Sequence, residues 1–326
     1  MQYARLGRSG LEVSRICLGC MTFGVPERGG PTWTLDESAS RPLIKKAIEL
    51  GINFFDTANI YSDGTSEEFL GRALKDYAVR DEVVIATKLN TPMRSGPNAK
   101  GLSRKAIIQE VEHSLNRLQT DYIDLYQIHR WDPETPIDET LEALTDLVRQ
   151  GKVRYIGASS MHAWKFAKAL YRSDQKGYAR FISMQDHYNL LNREEEREMV
   201  PLCEEEGVGQ IPWSPLARGL LARPDGQDTN RKKADWLSSK LYGDTERADA
   251  EVIRAVATIA ERHETSRASI ALAWLLSRPA VVAPIVGISR EQQFDDAIGA
   301  LAVSLSPEDI AEMESPYVPH PVAGFA

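Results

Sequence analysis

Asp56, Tyr61, Lys88 and His129 each stand just beyond a short apolar run that reads as a buried β-strand. A carboxylate, a phenol, an ammonium and an imidazole on one rim of a sheet suit carbonyl reduction, in which a hydride reaches the carbon and a proton reaches the oxygen. A phenol serves as the proton donor when an ammonium within hydrogen-bond reach favours the phenolate it leaves behind. Lys88 is the candidate for that ammonium, with Asp56 keeping it charged and oriented, and a neutral His129 would aim the carbonyl through its ring N–H. Taken singly, a loop tyrosine usually packs, a lysine after a strand usually meets solvent, and a lone histidine usually sits satisfied in a core. Together on adjacent strand ends they make a site.

The elements that must position them alternate along the chain. Strands are predicted over Ile16–Leu18, Asn53–Asp56, Val83–Thr87, Tyr122–His129, Val153–Ala158, Phe181–Asp186, Gly209–Pro212 and Val282–Val286. Between them, Ile107, Val111, Leu115 and Leu118 recur at helical spacing after the candidate cap Ser103. Ile137, Leu141, Leu144 and Val148 follow Thr135 and Pro136, read as a cap plus first-turn proline, and Gly151 closes that helix. Eight βα units without a composition break predict an α/β fold, a (β/α)8 TIM barrel forming one domain over residues 1–326. In such a barrel the residues after each strand converge on one face, so Asp56 and Tyr61 (second strand), Lys88 (third) and His129 (fourth) become neighbours.

Three segments lie outside the repeat. Tyr3–Leu6 and Leu11–Val13, joined by Gly7 to Gly10, predict an N-terminal β-hairpin within residues 1–14 that plugs the barrel bottom. The polar stretch Arg223 to Thr245, within a rim segment at about 214–246, is too long for an ordinary βα connection and reads as a mobile loop over the active rim. The C-terminal extension 306–326 ends in an extended tail from Pro316, with Tyr317, His320 and Phe325 available to wall a pocket.

A net charge of −8 argues against a general nucleic-acid or anionic-membrane surface, so any phosphate ligand must meet a local cationic site. Cys17, Cys20 and Cys203 cannot all pair and lack the second half of a zinc motif; they read as buried thiols of a cytoplasmic protein, with no metal site expected. The N-terminus has no apolar core of a secretion signal, and the longest apolar stretch, around Ala271 to Leu276, is too short to span a bilayer.

The stretch GINFFDTANIYSDGTSEEFLGRAL, Gly51 to Leu74, resembles the signature of the aldo-keto reductase superfamily, with Asp56 and Tyr61 at its Asp and Tyr positions. Lys88 in VVIATK and His129 in DYIDLYQIH resemble the other two members of that family's tetrad, and the resemblance runs from Tyr3 to the C-terminus. It implies an eight-stranded barrel reductase that binds NADPH in extended form, with Tyr61 as general acid and a small-molecule carbonyl as substrate. No GxGxxG follows any predicted strand, as expected of a nicotinamide enzyme without a Rossmann loop.

By the same resemblance Ser159 and Gln185 would hold the nicotinamide carboxamide, and Trp213, before Ser214, Pro215 and Leu216, would stack on the ring. Arg218 and Gly219 would line the pyrophosphate. Gly287 to Gln293, GISREQQ, follows the eighth strand, where barrels often keep a phosphate site. Ser289 and Arg290 would meet the adenosine 2′-phosphate, favouring NADPH over NADH, and Gln293 would lie near the adenine. The chain departs from the family pattern at Ala297 and Ser160, where relatives usually or often carry Asn. Trp33, Arg130 and Trp131 are the candidate substrate walls, suited to flat or apolar carbonyls, or to an acidic one through Arg130.

The combination QIHRWD, GASSMHAWKF, MQDHYNL, REEERE, IPWSPLARG and YVPHPVAGF is most similar to bacterial aldo-keto reductases labelled 1-deoxyxylulose-5-phosphate synthase and to aryl-alcohol dehydrogenase-like reductases. Those labels disagree about substrate. Two other functions remain to be weighed. A redox-sensing regulatory subunit, like the potassium-channel β-subunits that resemble this family, would keep the cofactor site with little turnover, although no long N-terminal docking extension is seen. A barrel hydrolase would need a second acid paired with Asp56, and the layout supplies none.

Overall fold

The computed structural model describes residues 1–223, 235–243 and 245–322. Tyr3–Arg5 (β1) and Glu12–Ser14 (β2) pair antiparallel, as the hairpin reading requires. The barrel strands are Cys17–Gly19 (β3), Phe54–Asp56 (β4), Val84–Leu89 (β5), Ile123–Ile128 (β6), Val153–Ser159 (β7), Phe181–Gln185 (β8), Gly209–Gln210 (β9) and Ile285–Gly287 (β10). They lie parallel in the order β10, then β3 to β9. The ring closes where Gln210 N donates to Ala280 O and Val282 N to Gln210 O, each at 2.8 Å, and Ile285 N donates to Pro212 O at 2.9 Å.

The eighth strand is therefore shifted from the predicted Val282–Val286. Pro284 has no N–H to give to a ladder, so regular pairing with β3 begins only at Ile285. The predicted Gly209–Pro212 strand shortens for the same reason at Pro212.

Eleven α-helices accompany the strands among the described residues. Burial on both faces explains why the strands read as unbroken apolar runs: every residue of β5 and β6 is buried. Ser103 caps Arg104–Leu118 by accepting from Ala106 N, as expected. At Ile137–Arg149 the cap is Pro136 and not Thr135, whose hydroxyl donates instead to Asp132 Oδ2 at 2.7 Å. Gly151, at φ 76°, ends that helix with its N–H on Val148 O.

The hairpin does close the barrel floor. Leu6 and Val13 are wholly buried in one cluster with Cys17, Phe54, Val84, Leu125, Ile211 and Val282. Gly7 makes that possible: at φ 59° it brings the turn so close that a Cβ would lie 2.6 Å from Gly207 O. The main core lies between barrel and outer helices. A further cluster packs Tyr188, Leu190 and Leu191 against Trp236–Tyr242, Glu246–Arg262 and Arg267–Leu276.

The predicted rim loop is thus partly helical, at Trp236–Tyr242, while residues 224–234 and 244 lie outside the described part. In the C-terminal extension Pro307–Glu314 is a helix with a Ser306–Asp309 capping box. Tyr317 then donates to Glu194 Oε1 (2.8 Å), and His320 N donates to the same oxygen (2.9 Å). Neither residue lines the cavity described below, and Phe325 lies outside the described residues. The three cysteines are free and buried.

Candidate active site

Strand register brings the four residues together. Lys88, near the end of β5, lies opposite Gln127 of β6, and the ladder continues past β4 as Thr57 N donates to Ala86 O and Asn59 N to Lys88 O. The chain after β4 is therefore laid along β5, which sets the Lys88 ammonium 2.6 Å from Asp56 Oδ1, 2.8 Å from Thr57 O and 3.1 Å from the Tyr61 hydroxyl. Beyond Tyr61 the backbone turns through Ser62 and Asp63, both left-handed (φ 45° and 53°), before Gly64 (φ 86°). Two non-glycine residues in that region store strain, which the surrounding fold must over-determine.

Lys88 is fully buried. Burial works to lower its pKa but is outweighed by Asp56 and Tyr61, so the ammonium is held above its ordinary value. Asp56 Oδ2 accepts from Gln127 Nε2 (3.0 Å) and Gln185 Nε2 (2.9 Å), which fixes the carboxylate from the far side. His129 follows β6, its N–H on Leu89 O, and its ring meets that of Tyr61 edge to face at 6.0 Å. Burial, reinforced by the charges of Lys88 and Arg130, keeps it well below the usual imidazole pKa and so neutral. Its Nδ1 is buried with no hydrogen-bond partner among the described residues.

These groups open on a cavity of about 530 Å3, a size typical of ligand sites. Asp56, Tyr61, His129, Arg130, Ser159 and Gln185, all buried or half-buried, belong to its lining, as do Trp213 to Leu216, Arg218 and Gly219. Gly287, Gln293 and the exposed Arg290 also line it, and Met21, Pro31, Trp33 and Ile60 are among its apolar lining residues.

Several expected residues are engaged in ways their spacing did not reveal. Arg218 makes a nearly buried bidentate pair with Asp235, both bonds 2.7 Å. Gln293 Oε1 accepts from Ser289 N (2.7 Å), Ser289 Oγ (3.2 Å) and Arg290 N (3.0 Å), so Ser289 is turned to Gln293 and does not line the cavity. Trp131 lies off the cavity against the core, with Lys165 Nζ 5.8 Å from its ring centroid. Arg130 turns its Nη1 to His129 O (2.6 Å) and Ser159 Oγ (3.4 Å). Ser160 receives Trp213 Nε1 at 3.0 Å, and Ala297 is buried in the core.

Sequence reasoning missed Gln127, Asp235, Arg223 and Asp296, the last three of which line the cavity. Gln127 carried a signal, being a polar residue in an apolar strand two positions before His129 and hence on its side of the sheet. Asp235 carried none, because its partner lies across a loop.

Residues 15–317 match the model of the aldo/keto reductase family, and the chain belongs to that family. It is 45% identical to the versiconal hemiacetal acetate reductase of Aspergillus parasiticus, with 98% of each chain covered. It is 42% identical to a putative aryl-alcohol dehydrogenase of Schizosaccharomyces pombe, over 99% of this chain and 97% of that one. A putative aryl-alcohol dehydrogenase of Saccharomyces cerevisiae is 41% identical, with 98% of each chain covered. These relatives are fungal, and the aryl-alcohol dehydrogenase name appears among them whereas the expected bacterial 1-deoxyxylulose-5-phosphate synthase label does not. The family and the relatives' names mark an oxidoreductase. Among the described residues no helix is long and apolar enough to cross a membrane, and no group of acidic, His and Cys side chains could hold a metal ion.

Proposed function

We propose that the chain reduces an aldehyde or ketone to an alcohol with NADPH, Tyr61 giving the proton. The observation that carries this reading is the buried chain Asp56–Lys88–Tyr61 ending at a cavity beside a neutral His129. Lys88, 3.1 Å from the hydroxyl, stabilises the phenolate that Tyr61 leaves, and Asp56, clamped by Gln127 and Gln185, keeps the ammonium charged and aimed. His129 orients the carbonyl oxygen with its Nε2–H.

The cavity suits an extended dinucleotide. A hydroxyl and an amide, Ser159 and Gln185, and the indole of Trp213 line it together with the tetrad, and so do two cations, Arg223 and Arg290. When bound, NADPH supplies the hydride for the carbonyl carbon. Ser214, Pro215, Leu216 and Gly219 form the wall for its pyrophosphate, while Arg218 acts on that wall already neutralised by Asp235. Gly219, at φ 100° and without a Cβ, lets the Arg223 guanidinium pack against that wall. Arg290 would meet the 2′-phosphate, with Gly287 and Gln293 beside it. Met21, Pro31, Trp33 and Ile60 favour a flat, apolar substrate, and two relatives named for aryl alcohols support an aryl aldehyde.

The test is NADPH titration by quenching of tryptophan fluorescence, followed by NADPH oxidation with aryl aldehydes, dicarbonyls and sugar phosphates. Saturable binding with turnover of at least one aryl aldehyde is expected. Binding without turnover on any carbonyl would leave the regulatory-subunit reading, and no binding would remove both.

A further inference from the structure

Trp213 is held from behind by a polar assembly that the reaction itself does not use. One face of its indole lies flat on the imidazole of His187, with ring centroids 4.2 Å apart and planes within 13°. The two backbones meet in a parallel bridge, and Trp213 N donates to Asp186 O at 2.8 Å. His187 is itself gripped: its Nε2 is 2.6 Å from the Tyr242 hydroxyl, and the Tyr242 ring meets it edge-on at 5.6 Å. Asn189 Nδ2 donates both to the Tyr242 hydroxyl and to Ser214 O, each at 2.9 Å, so the residue after Trp213 is tied to the same hydroxyl. The indole edge is set by Nε1 donating to Ser160 Oγ at 3.0 Å.

His187, Tyr242 and Asn189 are all buried, although none of them lines the cavity. Burying this many polar groups costs free energy unless they are hydrogen-bonded, and the bonds that offset the cost also fix their arrangement. Burial, with the charges of Arg218, His320 and Arg130 adding to it, lowers the His187 pKa to about 3, so the surface under the indole is a neutral imidazole. Ser214, at φ 52°, shows that the backbone beside the indole also accepts strain to reach its place.

We propose that His187, locked by Tyr242 and Asn189, is a positioning residue that sets the plane of Trp213 and thereby the stacking surface for the nicotinamide ring. With one face taken by His187, the indole offers the cavity only its other face and its edge. A tilt of the imidazole is therefore passed to the cofactor side without any contact between His187 and the cofactor. Tyr242 ends the helix Trp236–Tyr242, which Asp235 ties to Arg218 at its other end, so the same short helix is bound to two residues of the cavity wall, Arg218 directly and Trp213 through His187. This inference rests on the NADPH reading above.

The experiment compares two ligands, NADPH and 2′-phospho-ADP-ribose, the fragment that lacks the nicotinamide. Tyr242→Phe removes one hydroxyl and keeps the ring; His187→Ala removes the support; His187→Phe restores a flat ring. Tyr242→Phe is expected to weaken NADPH roughly two- to tenfold and His187→Ala about tenfold or more, while the fragment binds each variant as it binds the wild type. His187→Phe should recover most of what His187→Ala loses. Equal weakening of both ligands would reduce the assembly to a structural role, and unchanged NADPH binding in Tyr242→Phe would remove the lock; either overturns the proposal. Should His187→Ala fail to fold, Tyr242→Phe decides alone. Failure of the wild type to bind NADPH removes the functional reading and this inference with it, whereas normal wild-type binding with unaffected variants removes this inference only.

Discussion

On the buried, inner side of the site Lys88 is wholly buried and its ammonium has three oxygen partners within 3.1 Å, whereas on the exposed, outer side Arg290 is bonded among the described residues only through its backbone, its N–H and its carbonyl both to Gln293. The inner charges act in a dry, low-dielectric setting in which removing one partner strands another, and the outer charge is hydrated and screened. The first arrangement fixes the geometry of its groups, and the second leaves a cation open to a ligand without demanding stability of the fold.

The contrast can be broken most directly at Tyr61. Tyr61→Phe should cut carbonyl reduction about 10²- to 10⁴-fold while NADPH affinity stays within about twofold; near-normal turnover in that variant would remove Tyr61 from the acid role. Next in size is Lys88→Met, which leaves the Asp56 carboxylate buried without its cation and should cost about 3–5 kcal/mol of stability in urea unfolding. Arg290→Ala should change that stability by less than about 0.5 kcal/mol. A Lys88→Met variant as stable as wild type would erase the distinction between the two sides.

Arg290→Ala sharpens the other side, since it should weaken NADPH about 10- to 100-fold and leave NADH nearly untouched. Equal effects on the two cofactors, measured by the same titration, would contradict a 2′-phosphate contact.

The smallest effects concern pH. With His129 held neutral, the pH profile of kcat/KM should show no inflection near 6.5; an inflection there would mean that His129 titrates. For stability the sign follows from proton uptake. His187 has a folded pKa of about 3, so as pH falls below about 6.5 the unfolded chain gains a proton that the folded chain refuses, and stability drops. Between pH 4.5 and 6, His187→Phe should lower the slope of unfolding free energy by at most about 1.4 kcal/mol per pH unit, and an unchanged slope would show that His187 titrates normally.

The barrel was legible in the chain because parallel strands buried on both faces read as apolar runs, and because caps such as Ser103 and terminators such as Gly151 mark helix ends locally. Boundaries failed where a proline intervened: Pro284 delays β10 and Pro136 displaces the expected cap at Thr135. The tetrad was legible because each member stands at a strand end, where the barrel places it without regard to sequence distance. Contacts that cross loops left no trace. Nothing in the spacing of Arg218 and Asp235 announces a bidentate pair, and nothing near Ser289 shows that its hydroxyl turns to Gln293.

The order of residues by itself therefore determined the alternation of strands and helices, the family and which polar groups gather beyond the strand ends, because periodicity, capping and strand-end position are local properties. Only the tertiary structure decided which charges are spent on each other and which face the cavity. It also decided that His187, Tyr242 and Asn189 stand behind Trp213. Those outcomes depend on side chains meeting across the barrel, where distance, burial and competition for hydrogen bonds select the partner.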